Sequence, residues 1–431
     1  MNTPLRRLAV LALASSLVLA GCGRDSADSN DDGGEAATGP GVTSEPCPEA
    51  VDDSKGCIYL GAITDLTGPF SAIGIPLQDG AEAFWAWVNE NGGVGDYEVD
   101  VTTHLKDNEY NPDRHAQAWN EISGDVLALS GSLGTAATEA MMRDSEAEEL
   151  VAMPATLGSN WLFEDRVLEL GAPYCVEGMN SVDYGIDELG ATSVAAVHLP
   201  GDYGDDVMVG ARIAAEERGV DFTAIETTIG ADQQAAAVAG VLRSGADLVI
   251  MGTTPLELAA VVGGALQNGF QGKFIGAIPT WNAALLQSPA GEALKAAYTW
   301  SNPFPPYDAD SPGREAMREA AGDSQPNDYF AIGFSSQYVI KAVLESALES
   351  GDLTRAGVLE AATSMTEVDS EGSLPEGSGN YAGEPNDAVV RATNFFTPDE
   401  SASTGASVTV ESYTGPTAES YEFTEACYLM K

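Results

Sequence analysis

Residues 193–277 read SVAAVHLPGDYGDDVMVGARIAAEERGVDFTAIETTIGADQQAAAVAGVLRSGADLVIMGTTPLELAAVVGGALQNGFQGKFIGA. Four short β-rich runs, at 193–199, 221–227, 247–251 and 273–277, alternate with helical stretches at 204–218, 232–244 and 256–268. Strand–helix alternation of this kind gives a parallel sheet covered by helices on both faces. The same beat runs ahead of it, with strands at 58–66, 97–105, 126–130 and 150–153 and helices at 76–91, 112–122 and 135–148. In the first of these helices Leu77, Ala81, Phe84, Trp85 and Val88 form one apolar stripe. Pro76 suits its first turn, and Asn91-Gly92-Gly93 ends it. The fold class is therefore α/β, with two Rossmann-like doubly wound parallel-sheet lobes. Residues 297–307, rich in aromatics and Pro, read as a connector between lobes. Helices are expected at 311–322, 328–350 and 353–363, a Gly-rich loop at 371–387 and β-like alternation over 405–427.

The chain has 431 residues, of which 44% are hydrophobic, enough for a sizeable core. It carries 66 Asp and Glu against 19 Lys and Arg, a formal charge of −47. Phosphate neutralisation needs clustered cations, so a nucleic-acid partner is excluded, as is charge-driven adhesion to anionic lipid. An acid load of this size keeps a protein soluble in high salt, where screening shortens its self-repulsion.

Arg6 and Arg7 precede an apolar run from Leu8 to Ala20, too short for a stable membrane span. The run ends in Leu19-Ala20-Gly21-Cys22, which resembles a bacterial lipobox. That likeness implies cleavage before Cys22 and a lipid anchor on its thiol. The following residues, up to 46, have almost no large apolar side chain and read as a disordered acidic tether. Within it Asp28, Asn30 and Asp32 mimic half a calcium loop, but Gly39 stands where the bidentate Glu belongs.

Four cysteines remain, Cys47, Cys57, Cys175 and Cys427, and an even count in an exported chain suggests two disulfides with three possible pairings. Their spacing does not suit zinc, and His104, His115 and His198 are the only imidazoles. No metal or cofactor is expected. His104 and His198 read as structural residues in strands, and His115 as an exposed helical residue. No nucleophile elbow, zincin, P-loop or dinucleotide motif occurs, so no catalytic residue is assigned.

In open parallel sheets ligands sit beyond the carboxyl ends of the strands. Two such ends here carry small and hydroxyl residues, Gly131-Ser132-Leu133-Gly134-Thr135 and Pro154-Ala155-Thr156-Leu157-Gly158-Ser159. Both lead toward helix starts, whose free N–H groups favour a carboxylate or another acceptor.

Gly61-Ala62-Ile63-Thr64-Asp65-Leu66-Thr67-Gly68-Pro69-Phe70 resembles the opening strand and loop of type I periplasmic binding proteins. The receptors of branched-chain amino-acid ABC importers are the group it is most similar to. Gly80-Ala81-Glu82-Ala83, Asn89 to Val94, Asp107-x-x-x-Asn111-Pro112 and Asp202-Tyr203-Gly204 follow in the family's order. The resemblance implies two lobes joined by a three-crossover hinge with ligand in the cleft. The crossovers would fall near 174–178, near 301–307 and within about 385–400. It implies a leader over 1–21, the anchor site and tether over 22–46, lobe 1 over 57–174 and 302–390, and lobe 2 over 175–301 and 391–431. Carried over by position, Thr135 would give a hydroxyl and N–H to a ligand carboxylate, beside Gly134 and Thr156. Ala155 would offer its carbonyl and Leu157, commonly Thr in amino-acid receptors, its N–H. Tyr203 would close from the second lobe, and Thr254 lies where an aromatic often sits. Phe70 and Trp281 would supply apolar walls. The acid that pairs with a ligand ammonium would fall at Ile278, which cannot do so, leaving Asp202 or Glu177 as substitutes or a ligand without an amine. The implied protein is a monomeric lipid-anchored receptor on the outer face of the cytoplasmic membrane. It would bind a small amino-acid-like polar solute by hinge closure and deliver it to a membrane permease and ATPase. A sensor of an amide, urea or aromatic acid using the same cleft is the alternative.

Overall fold

A computed structural model describes residues 37–201 and 203–430. The leader, Cys22, the half calcium loop, most of the tether and Asp202 lie outside the described residues. The compact unit spans Ala36–Lys431 and, among the described residues, contains two large sheets and a two-stranded parallel pair of Ala37–Thr38 with Asp352–Leu353. Residues 37–46, expected as disordered tether, are thus held by backbone pairing, since Val42–Thr43 also joins the first large sheet antiparallel to Gly56–Thr64.

In the first sheet the central strand is Gly56–Thr64. Tyr97–Asp100 and Leu105–Asp107 pair parallel along one of its edges. Ala128–Ser132 pairs parallel along the other and is followed by Ala152–Pro154. The chain therefore reverses its build direction between Gly56–Thr64 and Ala128–Ser132, the crevice where open α/β sheets take ligands. The second sheet has seven strands in the spatial order Ala406–Tyr413, Thr393–Pro398, Tyr298–Asn302, Lys273–Gly276, Leu248–Gly252, Ser193–His198, Asp221–Glu226. The last five in that row are parallel to one another, and Thr393–Pro398 runs antiparallel to both of its neighbours.

Four further segments differ from the expectation. Tyr298–Asn302, read as connector, is a strand of the second sheet, and Thr393–Pro398 adds another strand within the stretch expected to cross between lobes. Both are short and fully or largely buried, so neither alternates in polarity. Helix Tyr174–Asp187 follows the first lobe and is buried on nearly every face, which removes the periodic signal. The helix expected to start at Pro76 starts at Ser71 and carries Pro76 inside it. Proline there leaves the Ala72 carbonyl without its helical donor. The Asn282 amide, from the other lobe, donates to it at 3.4 Å.

Helices Ser71–Glu90 and Asp328–Glu349 pack against each other on one face of the first sheet, and Tyr174–Asp187 packs against Tyr203–Arg218 in the second lobe. The first pair approaches closely: a Cβ on Gly80 would lie 2.1 Å from the Phe330 carbonyl oxygen, and one on Gly333 2.0 Å from that of Leu77. The cysteines pair as Cys47–Cys57 and Cys175–Cys427. Among the described residues no helix is long and apolar enough to cross a membrane.

Candidate functional site

A cavity with about 950 Å³ of empty space, part of it open to solvent, lies at the switch point of the first sheet. The strand ends contribute Thr64, Ser130, Gly131, Met153 and Pro154 to its wall. Tyr203, Ile278 and Pro279 close it from the second lobe. The lobes touch beside it: the Tyr329 hydroxyl donates to the Ile278 and Trp281 carbonyls at 2.7 and 2.8 Å.

Phe70 is set by Asp65, whose buried carboxylate accepts the Gly68 N–H and, at 2.8 Å, the Phe70 N–H. Its ring lies 4.3 Å from that of Tyr110 and 6.3 Å from that of Tyr203. Tyr110 and Glu109 both have positive φ, 53° and 50°, conformations held by side-chain acceptors. Asn108 Oδ1 takes the Tyr110 N–H at 2.8 Å, and Asp107 Oδ1 takes the Glu109 N–H at 2.9 Å. Backbone strain of this kind persists only where the surroundings over-determine it.

Helix Thr135–Asp144 starts at the cavity. Gly134, at φ 109°, turns the chain into it, and no side chain caps its first turn. Thr135 is buried and, among the described residues, its Oγ1 has no hydrogen-bond partner, nor does Oγ1 of Thr64 on the adjoining strand. A helix start with a buried hydroxyl beside it is a ready seat for a carboxylate. Behind this turn, Asn108 Nδ2 donates to the Leu133 carbonyl at 2.8 Å and faces His115 Nδ1 at 3.0 Å. His115 Nδ1 is thus an acceptor, and Nε2–H faces Ser132 Oγ at 3.3 Å. Ser132 Oγ in turn lies 2.7 Å from Thr138 Oγ1. His115 is fully buried, not exposed as its helix pattern suggested, and burial pushes its imidazole down to about 4.

The cavity brings together Phe70, Gly134, Thr135, Ala155, Thr156, Leu157 and Tyr203 of the expected ligand-facing residues. The Thr156 hydroxyl accepts from Trp161 Nε1 at 3.0 Å, and the Tyr203 hydroxyl donates to the Thr253 carbonyl. Thr254 and Trp281 are not among the lining residues. Thr254 is the N-cap of helix Pro255–Gln267, in a capping box with Glu257. Trp281 is buried and stacks on Tyr298, with centroids 5.7 Å apart. His104 sits in a turn and meets Tyr59 edge-on at 5.4 Å.

Sequence reasoning missed much of the wall. Leu77 and Ala81 read as core, Ile73 lay ahead of the expected helix start, and Ile332 and Gln337 belong to a helix with no motif. The one available signal was their four-residue spacing on a helix that follows a ligand loop.

Among the described residues no charged side chain lines the cavity. Glu177 is not a lining residue but sits directly behind one, accepting from the Ile278 N–H at 3.2 and 3.4 Å and from the Ser301 hydroxyl at 2.9 Å. Burial pushes its carboxyl well above the usual range. Near the hinge Asp206, pushed up to about 6 by burial, accepts from Ser159 N and Oγ at 2.8 and 2.6 Å. It lies beside Cys175 and Cys427, but both sulfurs are committed to a disulfide and cannot serve as thiolate ligands to a metal.

The profile of a family described as periplasmic binding protein matches residues 58–404. A Leu/Ile/Val-binding protein homolog 3 from Brucella melitensis is 26% identical over 200 residues, 45% of this chain. The aligned stretch spans 54% of that relative, about half its length. A fatty acid ABC transporter substrate-binding protein from Thermomonospora curvata superposes with a TM-score of 0.81 at 23% identity, covering 90% of this chain and 97% of that one. A branched-chain amino acid ABC transporter protein from Thermus thermophilus with bound valine gives 0.73 at 18%, covering 85% and 98%. At these identities the two structures speak to the fold alone.

Proposed function

The chain belongs to the periplasmic binding protein family, and on that premise we propose that it is the extracytoplasmic solute receptor of an ABC importer, selecting a monocarboxylate with an apolar body and no ammonium group. The observation that carries the ligand class is the pairing at the cavity: an uncapped helix start with the unpartnered Thr135 hydroxyl, and no charged side chain among the described lining residues. A carboxylate finds donors there, whereas a buried ammonium would lack a counter-charge and cost several kcal/mol. Leu157 points the same way, since it brings an apolar side chain where amino-acid receptors commonly bring a hydroxyl. The structural neighbours described as a fatty acid transporter substrate-binding protein and as a valine-bound branched-chain amino acid transporter both share only the fold, so the ligand class rests on the cavity.

Closure of Tyr203, Ile278 and Pro279 over a ligand seated on the first lobe is the transport signal in this reading. The ligand drives it to the extent that it binds the closed form better than the open one. Lipid attachment at Cys22 and a tether up to about residue 36 would hold the receptor near its permease, and no chemical step is assigned to it. The overall charge of −47 repels anions at long range, so a single carboxylate, held locally by the helix start, is favoured over a multiply charged anion. A thermal-shift panel of short and medium monocarboxylates, their α-amino counterparts and dicarboxylates tests the reading. Stabilisation by monocarboxylates is expected; stabilisation confined to amino acids would overturn it.

A further inference from the structure

We propose that the inner part of the cavity is an acyl-tail compartment inside the first lobe, and that Gly131 sets the length of chain it accepts. The inference rests on the carboxylate reading above and adds where the apolar body goes. Ile73, Leu77 and Ala81 are spaced four apart on helix Ser71–Glu90 and present one apolar row to the cavity. Ile332 and Met153 face the same space from helix Asp328–Glu349 and strand Ala152–Pro154.

Two glutamines also line this space: Gln78, whose Nε2 donates to Glu82 Oε1 at 2.9 Å and to the Val101 carbonyl at 3.2 Å, and Gln337, which is committed as well. Its Oε1 accepts from Trp85 Nε1 at 2.9 Å, and its Nε2 donates to the Ser130 carbonyl at 3.2 Å and to Ser336 Oγ at 3.0 Å. A polar ligand end would therefore meet engaged groups here, and a hydrocarbon chain would meet a matched wall. The carboxylate seat at Thr135 and this apolar row line one continuous cavity, the arrangement an amphiphile needs.

Gly131 stands on the strand Ala128–Ser132, which ends at this cavity. It pairs in register with Ala62 on the central strand and lines the cavity. A Cβ placed on it would meet only the Ala62 Cβ, at 4.0 Å, so the space in front of it is open. Its φ is outside the left-handed region, so the strand does not need glycine for its own conformation. Gly61, on the neighbouring strand, differs: a Cβ there would press on Ile122 and Leu129 at 2.8 Å. The missing side chain at 131 thus serves the cavity's volume.

The test is calorimetric titration of the purified chain with butanoate, hexanoate, octanoate, decanoate and dodecanoate. On the wild type the affinity should rise about fourfold per methylene until the compartment is full. Gly131→Leu should weaken decanoate by on the order of tenfold or more beyond any loss for butanoate, moving the plateau to a shorter chain. Gly131→Ala should fall between them and serves if the Leu variant does not fold. Binding that is flat with chain length on the wild type, or a Gly131→Leu loss equal for butanoate and decanoate, would overturn the compartment while leaving the carboxylate reading in place. No binding of any monocarboxylate would instead overturn that reading, and the compartment with it.

Discussion

Replacing Thr135 with Val separates a binding role from a packing role by sign. The Thr135 hydroxyl is buried and makes no hydrogen bond. In the free protein, removing it exchanges a desolvated polar atom for a methyl group of similar shape. Folding stability should therefore be unchanged or rise by up to about 1 kcal/mol. With a carboxylate at the start of helix Thr135–Asp144, the same hydroxyl donates a charge-assisted bond worth about 1.5–3 kcal/mol. The dissociation constant should then rise roughly 10- to 150-fold. Calorimetric titration with octanoate, run beside urea unfolding of the free protein, reads both quantities. Thr135→Ser keeps the donor and should stay within about threefold of the wild type. An unchanged affinity in Thr135→Val, or a loss of stability that parallels the loss of affinity, would refute the placement of the carboxylate.

Other consequences follow from the packing. Burial lowers the His115 imidazole from 6.5 to about 4, so the unfolded chain takes up a proton first as the pH falls. His115 therefore withdraws about 3 kcal/mol of stability between pH 6.5 and 4; urea unfolding of His115→Gln should lack that part of the pH slope. Gly333→Ala would set a Cβ 2.0 Å from the Leu77 carbonyl oxygen and force the two helices apart. Thermal unfolding should register a cost on the order of 2–3 kcal/mol. The Cys175–Cys427 bond closes a loop of 252 residues, so Cys427→Ser should lower stability by up to about 5 kcal/mol in denaturant titrations under oxidising conditions.

The alternation over 193–277 carried the architecture because each strand there is bounded by turns and each helix keeps its period. Helix Pro112–Ile122 was legible at both ends, since Asn111 caps it and Pro112 fits its first turn. Tyr174–Asp187 and Tyr298–Asn302 were not, because burial on all sides erases the contrast that periodicity reads. The helix around Pro76 was misplaced for a different reason. A tertiary contact from Asn282 satisfies the carbonyl that Pro76 releases, and local rules carry no information about it. The proposed carboxylate seat was visible as Gly134-Thr135 after a strand. The apolar row of Ile73, Leu77 and Ala81 was not, because a cavity wall and a core face share one pattern. His115 was read as exposed for want of knowing that Asn108 and Ser132 close over it.

The central claim is that this cavity takes a carboxylate and has no partner for an ammonium. Leucine and 4-methylpentanoate share one carbon skeleton and differ by the α-amine, so calorimetric titration of the purified chain with the two measures that claim directly. The account predicts that 4-methylpentanoate binds more tightly, by on the order of 100-fold, because the amine would be buried in a cavity lined by no charged side chain among the described residues. Tighter binding of leucine would contradict it.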